Sequence, residues 1–311
     1  MSVANVQIPD LETYPRAELI ASGVYAITQA DGSWGLSNAG LVLGQDVAVL
    51  IDTFFTERRN LILRGMVTEL ATVPPATLIS THHHGDHVYG NGWFPETVIV
   101  SHESTRERVL KLDSAISARR FAGVVFGETR PVPAALTFRD ELQVHVDDIT
   151  LDVFFPGVAH CAGNTVVFIR DRSVLFAGDI LLKNCTPSFS GGSARGYLPV
   201  LRRLHELRAE RIVPGHGPVC DGSVIDETER YVRFVLELAA QALAAGISPL
   251  DAARGAELGE FAKWLDGERL VGNLYRACSE LAPGEENYLM DVNAMWRDTE
   301  AFLDRPLRSR A

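Results

Sequence analysis

Cysteine is scarce in this chain. Its four thiols, Cys161, Cys185, Cys220 and Cys278, are spread over 311 residues and form no Cys-x-x-Cys pair. That scatter excludes a disulfide framework and a thiolate zinc site, so reduced thiols are expected. Basic residues are also in deficit, 29 Lys and Arg against 40 Asp and Glu, for a formal net charge of −11. Without a basic patch such a surface repels phosphates, which argues against a nucleic-acid partner and a nuclease role. Long apolar runs are missing as well. The longest, Val232 to Leu243, is broken by Arg233 and Glu237 and falls short of the roughly 20 residues needed to cross a bilayer. The stretch Met1 to Asp10 lacks a basic start and an apolar core, so the expectation is a cytoplasmic protein with no secretion signal and no membrane partner.

Histidine, by contrast, is concentrated. Four of the nine fall within His82-His83-His84-Gly85-Asp86-His87, together with a carboxylate. No ordinary packing need crowds imidazoles this way, whereas zinc and iron prefer neutral imidazoles and carboxylates as ligands. A dinuclear centre needs more ligands than one run supplies. Three later places offer them. His160 follows the apolar run Phe154-Phe155-Pro156-Gly157-Val158-Ala159, Asp179 ends Val174-Leu175-Phe176-Ala177-Gly178, and His216 follows Ile212-Val213-Pro214-Gly215. In each, a buried-strand pattern stops at Gly or Pro and a ligand-type residue comes next, as when a rigid strand presents a side chain from its loop. Singly, His160 reads as a loop histidine, Asp179 as a helix cap and His216 as a turn residue; their joint occurrence behind the cluster favours metal.

In order, type and context, these residues resemble the metallo-β-lactamase superfamily, whose pattern is His-x-His-x-Asp-His, then His, Asp and His. The resemblance implies a mixed α+β fold, a four-layered αββα sandwich with metals at one edge. It also implies two divalent ions, with zinc expected: His82, His84 and His160 on the first, Asp86, His87 and His216 on the second, and Asp179 bridging. His83 and Gly85 then act as spacers. His102 follows a strand with no ligand role left for it and reads as structural, while His145 and His205 read as solvated. Asp52 closes the run Val47 to Ile51 and matches a family position near the metals. It either holds a ligand imidazole through its second nitrogen or simply ends the strand in a turn. Cys161, where the family often has Thr, reads as a small apolar filler.

Patterning places strands at 24–28, 39–44, 47–51, 136–146, 150–155, 166–170 and 174–177, with a hairpin turn at 44–46. Helices are expected at 57–72, 103–119, 197–208 and 228–245. The segment 121–135, apolar but punctuated by Gly and Pro, reads as a loop and candidate lid, and 187–192 as a loop over the site. Gly191-Gly192-Ser193-Ala194-Arg195 only approximates a nucleophile elbow, since Arg195 replaces the needed glycine. Residues 1–246 are expected to form the metal-site domain. Residues 247–311, with helical patterns at 250–255, 268–281 and 287–303, form a helical extension packed on the same domain. That tail either shapes a pocket or mediates a homodimer.

Outside the ligands the chain resembles the metallo-β-lactamase-fold cyclases of aromatic polyketide pathways, of the actinorhodin type that close the second ring. The similarity lies in Gly32 to Gly40, in Cys185-Thr186-Pro187 with Gly192-Ser193, and in Ile247 to Arg254 and Leu265 to Ala277. It implies aldol ring closure of a poly-β-keto intermediate with thioesterase release from an acyl carrier protein. The alternatives are a general metallohydrolase, such as a glyoxalase II-like thioesterase or lactonase, and a non-catalytic binding module, which the complete ligand set disfavours. Asp86 is the expected catalytic residue. Trp34, Phe55, Phe189 and Tyr197, with Trp93, are candidates to line a pocket for a polycyclic product.

Overall fold

A computed structural model describes residues 14–121, 123–282 and 290–311. The stretch Met1 to Asp10 and the start of the predicted 287–303 helix lie outside the described residues. Among the described residues, twelve strands form two sheets. The first sheet runs in chain order: β1 (Pro15–Ala21), β2 (Val24–Gln29), β3 (Ala39–Leu43), β4 (Ala48–Ile51), β5 (Thr77–Ile79), β6 (Val98–His102) and β7 (Leu136–Phe138). Its first half is an antiparallel meander and β4 to β7 are parallel. The second comprises β8 (Glu141–Val146), β9 (Ile149–Phe154), β10 (Val166–Ile169), β11 (Val174–Leu182) and β12 (Arg211–His216), ordered β12-β11-β10-β9-β8 with only β11 and β12 parallel.

The helices are α1 (Glu57–Leu70), α2 (Gly85–Val88), α3 (Glu103–Val109), α4 (Ser114–Arg120), α5 (Ala194–Glu206), α6 (Ser223–Ala245), α7 (Pro249–Gly255), α8 (Arg269–Leu281) and α9 (Val292–Leu303). No single described helix is long and apolar enough to cross a membrane.

Side-chain alternation explains the layering. Val42 and Val49 face Phe176, Val174 and Val213 of the other sheet, and this inter-sheet core is continuous. Their neighbours Leu41 and Leu50 point the other way, onto Leu63 and Val67 of α1. On the second sheet Leu175 and Ala177 turn outward onto α5, α6, α7 and α8. Each sheet is therefore apolar on both faces, which is why its strands read as near-continuous hydrophobic runs. The result is the αββα arrangement with C-terminal helices. Ala252, Ala253, Leu270 and Leu274 share one core with Leu181 and Ile212, so residues beyond 246 pack on the same body.

Three expected elements are corrected and one strand is new. The strand over 136–146 is two strands, because Arg139 and Asp140 interrupt it and send β7 and β8 into different sheets. The helix over 103–119 breaks at 110–113, where Asp113 caps a new one by accepting from the Ala115 N–H. Strand β11 runs on to Leu182, so Asp179 lies within it. β1 was not anticipated.

Candidate metal centre

Every ligand-type residue lies at one edge of the sandwich. His82 and His84 leave β5, the short helix α2 carries Asp86 and His87, His160 follows β9, and His216 ends β12. Asp179 needs a special backbone. Gly178 has φ +51°, and the register with β12 slips on either side of it, a bulge that re-aims the next side chain. Gly215 on the adjacent strand makes the room, since a Cβ there would lie 2.0 Å from Asp179 Oδ1.

The seven residues fall into two donor sets. His84 Nδ1 lies 3.2 Å from His82 Nε2 and 2.9 Å from His160 Nε2, and Asp179 Oδ2 lies 3.8 and 3.6 Å from the latter two nitrogens. His216 Nε2 lies 3.3 Å from Asp86 Oδ2, and Asp179 Oδ1 lies 3.1 Å from His87 Nε2 and 3.5 Å from His216 Nε2. A tetrahedral ion with bonds of 2.0–2.1 Å has ligand-to-ligand edges of about 3.3 Å, so both sets have the span of a coordination shell. The two oxygens of Asp179 face one set each.

The fit is also visible in what these atoms lack. His87 Nε2 and Asp179 Oδ1 are buried and, though close, are not aligned for a hydrogen bond. Orphaned buried polar atoms are costly unless something else satisfies them. A divalent cation would satisfy both, and the described residues fit one in each set.

The outward nitrogens are tied down. His87 Nδ1 donates to Asp52 Oδ2 (2.8 Å), His160 Nδ1 to the Ser188 carbonyl (2.5 Å) and His216 Nδ1 to the Gly32 carbonyl (2.9 Å). Such acceptors place the proton on Nδ1 and free Nε2 to bind metal. Asp52 therefore holds the imidazole of a candidate ligand. It also accepts from the Thr81 N–H (2.7 Å) and Thr81 Oγ1 (2.6 Å), and that hydroxyl is 3.1 Å from His82 Nδ1. One buried network thus orients a candidate ligand from each set. Thr81 was missed from the sequence, although its place directly before His82 was the available signal.

Charge is distributed unevenly. Burial pushes His82 and His84 well below the usual imidazole range and lowers His160 too, so all three are neutral. Burial acts likewise on His87 and His216, but the carboxylates of Asp179 with Asp52, and of Asp179 with Asp86, outweigh it. His87 is raised well above its ordinary value and His216 to about 9. Burial would raise Asp86 and Asp179; His216 and His87 beside them prevail, holding Asp86 near 2 and Asp179 well below the carboxylate range.

A pocket opens over the donors. Trp34, Phe55, Phe121 and Trp296 form apolar walls, and Arg120 and Arg269 are also on its lining. Ser188 and Ser190 place the 187–192 loop against it, and Phe121 contributes from the start of the candidate lid. Phe189 and Tyr197 do not line it, which corrects that expectation. Both have no exposed surface and meet edge to face in the core behind β11, where Tyr197 Oη donates to the Asp179 carbonyl. They are large apolar rings behind the site, and burial decided their place. Trp93 packs near α1 beneath the Arg130 guanidinium. His102 caps α3 and stacks on Phe155, His145 and His205 are exposed, and Cys161 is a buried thiol whose pKa burial lifts to about 12. Trp296, Arg269, Arg120 and Phe121 were not anticipated as pocket residues.

The pattern describing the Metallo-beta-lactamase superfamily matches residues 32–216. A "Metallo-beta-lactamase type 2" of Bacteroides fragilis is 26% identical over 211 residues, 66% of this chain and 79% of that protein. The "2,4-dinitroanisole O-demethylase subunit alpha" of Nocardioides sp. (strain JS1661) is 27% identical over 219 residues, 67% of this chain and 58% of that one. Among solved structures, a metallo-beta-lactamase from Pontibacter korlensis superposes with a TM-score of 0.57 at 23% identity, covering 70% of this chain and 99% of its own.

Proposed function

The chain belongs to the metallo-β-lactamase superfamily of metallohydrolases, and from that premise we propose that it is a metal-dependent aromatic polyketide cyclase. It closes a second or later ring of a poly-β-keto intermediate by aldol chemistry and, as a thioesterase, releases the product from an acyl carrier protein. The observation that supports this reading most is the pocket, where Trp34, Phe55, Phe121 and Trp296 stand directly beside His84, Asp86, His160, Asp179 and His216. Flat aromatic walls suit a flat, ring-forming substrate. The relative named for demethylating 2,4-dinitroanisole also acts on an aromatic compound.

Divalent ions in the two sets, with zinc the best match to nitrogen and oxygen donors, would supply a Lewis acid for a carbonyl oxygen and a nucleophile from water near neutral pH. The chain's own residues do the rest. The aromatic walls exclude water and fold the flexible chain so that its reacting carbons meet, which is where most of the gain in a ring closure arises. Asp86, at 14% side-chain exposure the most accessible carboxylate of the set, accepts a hydrogen bond from water and aims it at the thioester carbonyl.

The test is product analysis with a polyketide carried on an acyl carrier protein or a thioester mimic. Cyclised product and free acid are expected, and chelation should abolish both together. Rapid hydrolysis of glutathione thioesters or lactones, with no cyclised product from the polyketide, would replace this reading with the general metallohydrolase.

A further inference from the structure

Two arginine–tryptophan couples face the pocket, and they are not equivalent. The Arg269 guanidinium lies 4.0 Å from the centre of the Trp34 ring, but it also donates to the Thr186 carbonyl (2.9 Å) and pairs with Asp266 (3.0 Å). Its charge is spent on holding the wall, together with Glu268, which accepts from Trp34 Nε1 (2.8 Å). Arg120 lies 4.2 Å from the Trp296 ring centre. Among the described residues it has no carboxylate partner and makes no hydrogen bond through its guanidinium. It sits at the end of α4, half-buried and on the pocket lining, with Phe121 next in sequence and Ser117 one turn earlier. A guanidinium held over a ring, with its fork of donors unused, is pre-organised for an oxyanion. In a chain with 11 surplus negative charges, a pocket cation without a partner is otherwise unexplained.

We propose that Arg120 is the group that selects an anionic substrate: it takes a carboxylate, phenolate or enolate oxygen carried on a flat ring system lying among Trp34, Phe121 and Trp296. This deepens the reading of the same pocket given above and rests on it only for the aromatic character of the substrate. The position also fits the geometry of the wall. Arg120 and Phe121 come from the segment that leads into 121–135, whereas Trp296 comes from α9 in the C-terminal extension. An anion drawn to Arg120 is therefore gripped where the two parts of the chain meet.

The experiment compares 2-naphthoate with its neutral isostere 2-naphthamide, binding each to the metal-loaded full chain and following quenching of tryptophan fluorescence. Neither probe can be cyclised or hydrolysed as a thioester, so the outcome is independent of which reaction the enzyme performs. Wild type should prefer the carboxylate roughly 10-fold or more, the worth of a hydrogen bond to a charged group. Arg120→Gln should erase that preference by weakening naphthoate alone, with metal content and melting temperature unchanged, and Arg120→Lys should restore part of it. If Arg120→Gln keeps the preference, the anion is bound elsewhere, by the metal ligands' ions or by Arg269, and the proposal is overturned. Equal weakening of both probes would overturn it too, since it would show only a collapsed wall.

Discussion

Asp52→Asn separates orientation from architecture. The carboxylate accepts three hydrogen bonds of 2.6 to 2.8 Å, from the Thr81 N–H, Thr81 Oγ1 and His87 Nδ1. It does so with φ +58°, a conformation Asn tolerates at least as well as Asp. The Asn carbonyl can still accept from the Thr81 N–H. The amide in place of Oδ2 can only donate, so it opposes the Nδ1 proton of His87 and favours the tautomer that protonates Nε2, the atom needed for metal. The Thr81 hydroxyl, which also donates to Oδ2, can turn to accept from the amide, so the net loss is the charge-assisted bond from His87, about 1.5–3 kcal/mol in the metal-free protein. Metal affinity of the set containing His87 should fall about 10- to 100-fold, the usual cost of removing a carboxylate behind a ligand histidine. Asp52→Ala is harsher, because it also strands the buried Thr81 N–H and puts alanine in the left-handed region. The assay is a competition titration with a chromophoric chelator, alongside thermal unfolding of the stripped protein. Wild-type affinity in Asp52→Asn would refute the argument that this carboxylate fixes the His87 tautomer.

Asp86→Asn should damage thioester hydrolysis more than ring closure, because Lewis-acid polarisation needs no oriented water; equal loss of both products would contradict that division. The field of Asp179 and Asp86 lifts His216 to about 9, so in the stripped protein it is protonated at pH 7. Its contribution to stability is then fully present below the ordinary imidazole pKa of about 6.5 and is lost as pH rises through about 9. His87 is raised as well, so at pH 7 metal uptake by the set that holds both must release a proton from each imidazole, and affinity should climb roughly a hundredfold per pH unit until His216 titrates. Calorimetry in buffers of different ionisation enthalpy counts those protons, and release of fewer than two would mean that His87 or His216 binds no metal. Phe189→Ala should destabilise the fold by about 3–5 kcal/mol because its ring is fully buried, whereas Phe55→Leu at the pocket should chiefly raise KM for an aromatic substrate. Thermal unfolding and steady-state kinetics on the two variants read the contrast directly.

Much of this was legible because the chemistry is local in sequence. His82 to His87 point to a metal site in six residues, and His160, Asp179 and His216 each come after an apolar run that is itself the signal. The layered fold was legible for the same reason, since sheets covered on both faces leave unbroken Val, Ile and Leu runs. What stayed hidden depends on contacts distant in sequence. The sequence does not show that Trp296 and Arg269, from the last fifth of the chain, stand opposite Trp34. Nor does it show that the rings of Phe189 and Tyr197 turn inward, against each other and, for Phe189, against Tyr231, since an aromatic residue suits a core as well as a pocket. The split of 136–146 between two sheets was hidden because alternation continues across Arg139 and Asp140 while the chain changes layer.

The central claim is that Asp179 stands between two occupied donor sets. Crystals of metal-replete protein, measured with anomalous scattering at the zinc edge, test it most directly. The account predicts two peaks about 3.5–4 Å apart, one against His82, His84 and His160 and the other against Asp86, His87 and His216, with one oxygen of Asp179 on each. A single peak per chain, or two peaks with Asp179 touching only one, would contradict it.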